Sequence, residues 1–293
     1  MDGTKYKSSL NSKDQQYACE VLHEDPCRLD VFIDQCYYWL RTQEDWHLNP
    51  KTDPVTIIRF LRGCKYDVEK ACRKMKCYYD LRKNSPEWFH NRNPFLPELQ
   101  ELLKLGVFLP LLKKDPEGRT VIIIRATAHN PKIHKQNDVF KIGTMTLDLA
   151  ISQDETLIVY GVTAIFDLTN VSPGHAAQLS PNLIKKAVHS WQDCYPVRPK
   201  SLDFINSPCY VNVVLNIFRR FMNKKMRDRV HVHGFDQSSL HSLVPKEILP
   251  EEYGGTDGKL QHVIDYWKEK VSNAHEWFAQ EEHFKAKLDT NDL

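Results

Sequence analysis

The stretch Asn206–Gly234, NSPCYVNVVLNIFRRFMNKKMRDRVHVHG, decides how the rest of the chain is read. Val211, Val214, Leu215, Phe218 and Met222 recur at i, i+3, i+4, i+7 and i+11, one face of a 3.6-residue period, so a helix over Pro208–Met222 is expected. Arg219, Arg220, Lys224, Lys225, Arg227 and Arg229 crowd its second half. Val230–His233 then read as a short strand stopped by Gly234. An apolar helix that runs into a cationic turn suits an anionic lipid interface. Taken alone, the same pattern also describes a helix packed on a core with a solvated, charged end.

The flanking sequence supplies a frame. Val162–Leu168 (VTAIFDL) reads as a buried strand, Pro181–Cys194 as a helix and Leu202–Ile205 as another strand. Upstream, Val107–Leu109 and Thr120–Arg125 are strand candidates joined by the turn signal KKDPEG at 113–118, and residues 132–156 look helical. Strands alternating with crossover helices imply an α/β fold with a mainly parallel sheet. An N-terminal helical bundle precedes it. Its helices are expected at Gln15–His23, Pro26–Leu40, Val55–Gly63 and from the Asp67 cap to Arg82. Asp53-Pro54 opens the third of these, and Gly63 suits the position just past its end. A last amphipathic helix, Leu260 to Lys285, carries Val263, Ile264, Trp267, Val271, Trp277 and Phe278. The expected organisation is a flexible tail at 1–14, a helical domain at 15–92, an α/β domain at 93–257, and a terminal helix and tail at 258–293.

Bulk properties narrow the function. A net charge of +2 over 293 residues excludes a general polyanion binder, so any basic patch is local. No signal peptide is expected from the polar N-terminus, and no run reaches the ~20 apolar residues of a membrane span. The eight cysteines form no CxxC pair, which fits scattered reduced thiols. No phosphate loop, GxGxxG, GxSxG elbow, HExxH pair or Cys-x5-Arg loop occurs, so no catalytic residue and no metal site is assigned. His231 and His233 share one face of a strand without a third ligand, and Asp167 at a strand end reads as a loop cap. No RNP-like pattern or zinc finger accompanies the basic residues, so no nucleic acid partner is expected.

Six segments, in order, resemble the CRAL-TRIO lipid-transfer family: TIIRFLRGCKYDVEKA (56–71), GVFLPLLKKDPEGRTVIIIR (106–125), GVTAIFDLTNVS (161–172), CYPVRPKSLDFINSP (194–208), MRDRVHVHG (226–234) and ILPEEYGG (248–255). The resemblance covers about residues 25–285. It implies a helical N-terminal domain and a sheet-floored lipid cavity closed by a movable helix, with no enzymatic activity and no cofactor beyond the bound ligand.

The family's vitamin E carriers hold phosphoinositide headgroups with four basic residues beside the gate. The resemblance places these at Arg198, Lys200, Lys225 and Arg229. It places the cavity wall at Thr144, Leu147, Asp148, Val162, Ile165, Phe166, Ala187, Trp191, Tyr195, Leu202, Val214, Ile217 and Phe218. The gate and membrane contact fall on Val211, Val214, Leu215, Phe218, Phe221 and Met222. A carboxylate at 148 needs a partner, a proton or a ligand hydroxyl. The implied cargo is alpha-tocopherol. The alternatives are a retinoid or other isoprenoid, phosphatidylinositol, or a sensor that presents its lipid to a protein. The implied protein is a cytoplasmic monomer that docks transiently on phosphoinositide-containing membranes.

Overall fold

The computed structural model describes residues 6–42, 49–236 and 238–285; the outermost parts of the two expected tails lie outside them. The N-terminal helices are α1 (Ser12–Leu22), α2 (Leu29–Thr42), α3 (Pro54–Gly63), α4 (Val68–Asn84), α5 (Pro86–Phe89) and α6 (Pro97–Leu105). Asn11, Asp53 and Asp67 cap α1, α3 and α4 by accepting the backbone N–H of Asp14, Thr56 and Lys70. Ile33, Cys36, Ile57, Ile58, Leu61, Cys72 and Met75 close the bundle core. All eight cysteines are unpaired.

Several expectations change. The first tail is not loose from residue 6 onward: Ser9 Oγ donates to Glu155 at 2.8 Å, and Leu10 is buried. Gly63 is the last residue of α3 rather than its C′ residue, and Cys64 follows as the cap. A Cβ at Gly63 would stand 2.2 Å from the Pro196 carbonyl oxygen, so glycine is required by a close approach of the two domains. Helix α6 directly follows the Asn91–Pro97 boundary, with Leu99, Leu102 and Leu103 buried at helical spacing.

The α/β domain comprises β1 (Phe108–Lys114), β2 (Thr120–Arg125), α7 (Gln136–Gln153), α8 (Thr156–Tyr160), β3 (Val162–Asp167), α9 (Pro173–Ala177), α10 (Pro181–His189), β4 (Pro199–Ile205), α11 (Val211–Phe221), α12 (Lys224–Arg227), β5 (Val230–Gly234) and α13 (Ser238–His241). Helices α14 (Leu260–Asn273) and α15 (His275–Glu281) complete the described chain. The sheet runs β1-β2-β3-β4-β5, with β1 antiparallel and the other pairs parallel. The helix expected over 132–156 begins only at Gln136 and breaks where Asp154 accepts the Thr156 N–H. The expected Pro181–Cys194 helix gives way to a π turn at Ser190–Cys194. The expected terminal helix breaks at Ala274.

Register assigns the two sheet faces, because paired residues of adjacent strands point the same way. Ile124, Phe166, Phe204 and Val232 form one row, and Ile122, Ala164, Leu202 and Val230 another, on one face. Ile123, Ile165, Asp203 and His231 lie on the other.

Buried charge joins the domains. Asp148 on α7 accepts from Arg92 at 2.7 Å and from Arg82 at 3.3 Å, and both arginines are almost fully buried. Arg82 also donates to the Phe284 carbonyl at 2.9 Å. Removing the carboxylate strands two buried cations. Asp148→Ala is expected to cost about 3–5 kcal/mol in denaturant unfolding, and Asp148→Asn distinctly less, since the amide oxygen still accepts.

Candidate functional site

The first sheet face supports the site. Ala164, Leu202 and Phe204 pack with Ile184 and Val188 of α10, with Val211 and Leu215 of α11, and with Met222 and Met226. Phe166 and Phe204 stack with ring centroids 4.6 Å apart. Trp191, Ile217, Phe218 and Phe221 complete this layer as half-buried residues. Helix α11 is shorter than expected because Met222 already has extended backbone, and Asn223 caps α12 instead.

The expected cavity wall divides. Phe166, Leu202, Ile217 and Phe218 belong to this layer, and Trp191 bridges it to the main core. Val162 lies on the same face by alternation but packs into the main core. Val214 is half-buried on α11. Ile165 is corrected to the opposite face: it is one residue from Phe166, and strand side chains alternate. Ala164 and Phe204 occupy the face instead, and the period-two rule applied to VTAIFDL would have found Ala164. Ala187 packs with Trp88, Phe89 and Cys194. On α7, Thr144 turns its hydroxyl to the Lys141 carbonyl, and Leu147 is in the main core. Asp148 and Tyr195 line a cavity of about 50 Å³ at the junction with the helical bundle. Asp148 therefore meets the two arginines there, not the apolar layer.

In the expected gate set, Val211, Leu215 and Met222 are turned inward, with Phe218 and Phe221 behind them. The apolar residues facing outward are Tyr210 and Val213 at the start of α11, 53% and 68% exposed, and Phe235 after β5, 73% exposed. The backbone bond from Ser207 N–H to the Gly234 carbonyl (3.2 Å) holds the approach to α11 beside the end of β5. Sequence reading missed Tyr210, Val213 and Phe235, because the periodic positions it followed mark the inward face.

The four expected cations converge. Lys200 and Arg198 flank the start of β4, Arg229 precedes β5, and Lys225 sits on α12. Arg229 donates to the Pro199 carbonyl. Burial first, then repulsion from Arg198, Arg229, Lys65 and Arg119, pushes Lys200 down to about 8. Burial, followed by Arg229, Lys70, Lys65 and Arg198, also lowers Lys225. Sequence reading missed Lys65, Lys70 and Arg119, which come from other parts of the chain. Lys200 and Lys225 have no hydrogen bond or ion pair among the described residues. Arg198 is partly occupied, donating to the Val159 and Ile158 carbonyls at the end of α8. Gly161 permits this crowding: its φ is +90°, and a Cβ there would lie 2.4 Å from the Arg198 carbonyl oxygen.

An apolar layer lies under α11, and the unpaired Lys200 and Lys225 gather with Arg198 and Arg229 beyond that helix's end. Among the described residues, no group of three or more His, Cys, Asp or Glu side chains could hold a metal ion. No described helix is long and apolar enough to cross a membrane. Comparison with known families gives a match to the CRAL/TRIO domain over residues 105–255. The chain belongs to the CRAL/TRIO family. Members of this family bind and transfer lipids.

A second match, to the Pinta-like UBA domain, covers residues 29–99 ahead of the CRAL/TRIO domain. The mouse alpha-tocopherol transfer protein-like protein is 31% identical over 80% of this chain and 67% of its own length. Its human counterpart is 32% identical over 73% of this chain and 62% of its own length, and human clavesin-2 is 29% identical over 86% and 76%. The structure of Sfh5 shares the fold, with a TM-score of 0.52 at 14% identity, covering 88% of this chain and 92% of that one.

The crowding has a measurable consequence. Folded Lys200 releases its proton near pH 8, whereas an unfolded lysine keeps it to about 10.4. Between these values the unfolded chain binds more protons, so this group's contribution to stability rises with pH there and is level below it. The unfolding midpoint of the wild-type chain is expected to gain on that of Lys200→Met between pH 8 and 10. Parallel curves would show that Lys200 titrates normally.

Proposed function

We propose that this CRAL/TRIO protein carries a hydrophobic small lipid, alpha-tocopherol, between membranes, and that phosphoinositide headgroups at Arg198, Lys200, Lys225 and Arg229 promote docking and cargo release. The observation that carries this reading is the convergence of those four cations next to the end of α11. Cations left together without carboxylates favour a polyanion, and near an anionic leaflet each adds about 1 kcal/mol. The name of the alpha-tocopherol transfer protein-like relatives supports the cargo. The protein is cytoplasmic and associates with membranes peripherally and reversibly.

A membrane already shelters an apolar lipid, so burial alone, at about 25 cal/mol per Å², does not drive uptake. Opening α11 in water would expose Val211, Leu215, Phe218 and the sheet residues beneath them. At a membrane these surfaces meet lipid instead, and the open state loses its hydration cost. A cargo lodged there replaces side-chain contacts with its own. The 11 residues of α11 span roughly 16 Å at 1.5 Å per residue. Lying along the surface, the helix brings Tyr210 and Val213 to the interface at one end and Lys225 at the other.

Mass spectrometry of lipids extracted from the purified chain tests the cargo: a tocopherol supports it, and a retinoid or a phosphatidylinositol replaces it. Lys225→Ala/Arg229→Ala is expected to slow transfer to phosphoinositide-containing vesicles several-fold while cargo binding is kept. Wild-type transfer would reduce the patch to a solvated surface. Val213→Asp, at an exposed position, is expected to change stability by no more than about 0.5 kcal/mol yet weaken vesicle co-sedimentation. Unchanged sedimentation would remove the start of α11 from the membrane contact.

A further inference from the structure

Two loops leave the sheet side by side after β2 and β3, with a buried histidine at their contact. Residues 126–135 lead from β2 to α7, and residues 168–180 lead from β3 through α9 to α10. Thr127 Oγ1 donates to the Thr169 carbonyl at 2.6 Å, and Gln178 Nε2 donates to the carbonyls of Pro131 and His134 at 2.7 and 2.9 Å. His129 of the first loop is 2% exposed, and its ring meets that of His175 on α9 edge to face, with centroids 4.8 Å apart. Ser172 gives its backbone N–H to His175 Nδ1 at 3.1 Å, so Nε2 carries that ring's proton and donates it to the His129 carbonyl at 3.0 Å.

The His129 ring has no such anchor. Both of its nitrogens are buried without a hydrogen bond, and so is Gln178 Oε1. A neutral imidazole tolerates this place, whereas an imidazolium there is a buried charge beside other histidines. Among the described residues no carboxylate pairs with it. Glu101 of α6 pairs with His134 at 2.9 Å, Asp138 of α7 also interacts with His134, and Asp167 is bonded to Thr169, Asn206 and Tyr253. Lys132 and Lys135 of the same loop are exposed. Burial first, then His175 and His134, push His129 down to about 4, against the opposing pull of Gln178 and the Ala126 carbonyl.

The second loop also gives Leu168 and Leu179 to the apolar layer under α11. We propose that His129 is a proton-operated latch: its neutral ring lets the two loops close on that layer, and a proton on the ring parts them. That the parting lets cargo out rests on the carrier function proposed above; the latch does not. A freed ring takes its proton near pH 6.5 and the closed one only near 4. Closure is therefore fully favoured above 6.5 and loses roughly tenfold per pH unit as the pH falls between these values. An anionic leaflet, which gathers protons as it gathers other cations, contributes to that fall at the membrane.

Hydrogen exchange of the full chain tests the latch, read in peptides covering 126–135 and 168–180 at pH 7.5 and 5.5 and corrected for the intrinsic pH dependence of exchange. Protection there is expected to be about tenfold lower at pH 5.5, while β2 and β3 keep theirs. His129→Phe, which keeps a ring without a titrating nitrogen, should show equal protection at both pH values. Equal protection in the wild type, or the same loss in His129→Phe, would overturn the proposal. Should His129→Phe fail to fold, the wild-type ring is titrated by NMR: a midpoint below pH 5.5 supports the latch, and one at 5.5 or above sinks it. Transfer of tocopherol to phosphatidylcholine vesicles, measured alongside, tests the link to cargo. Transfer that quickens at pH 5.5 in the wild type but not in His129→Phe supports release through the latch. A rate that ignores pH while the exchange changes removes that link and leaves the latch standing.

Discussion

One carboxylate between two buried arginines holds this protein's parts in place. Asp148 comes from α7, Arg82 from α4, and Arg92 from the segment between α5 and α6. Arg82 reaches on to carbonyls at Glu281 and Phe284, so the end of the described chain is drawn to the same point. A second node repeats the device: buried Arg62 of α3 pairs with Glu24 at 2.7 Å and with Glu155 before α8. Charges without access to water must find partners of fixed geometry, so each node permits few arrangements of its segments. Bundle and sheet are thereby bolted together.

That rigidity matters because α11 is held differently. Its contacts are apolar, made by Val211 and Leu215 with a flank of half-buried residues, and no ion pair involving α11 side chains is found among the described residues. Apolar contacts are non-directional and can be exchanged for lipid at little cost, whereas a buried ion pair cannot. The fold thus places its strong, directional bonds around the domain junction and its exchangeable ones beneath α11. The cations beside α12 add the converse element, groups that repel one another.

Much of the architecture was legible in the sequence. The periodic run from Val211 to Met222, the buried strand at Val162 and the caps Asp53 and Asp67 each report a local regularity, and the sheet follows from their order. The four cations were found through resemblance, as residues of similar charge in recognisable segments. Most of what escaped had no local mark. Tyr210 and Val213 lie off the periodic face. Lys65 and Arg119 join the patch from distant segments. Helix α6 had the right spacing but stood directly after a proline-rich boundary.

The sequence by itself determined the elements, their order and the family, because hydrophobic period, capping and turn chemistry act over a few residues. Only the tertiary structure decided what the polar side chains do. It turned Asp148 from the expected lipid wall to a pair of arginines, and drew cations from four separate regions to one spot. The physical reason is range: a backbone period is set by neighbours in the chain, whereas the partner of a buried charge is set by whatever the folded chain brings within about 3 Å of it.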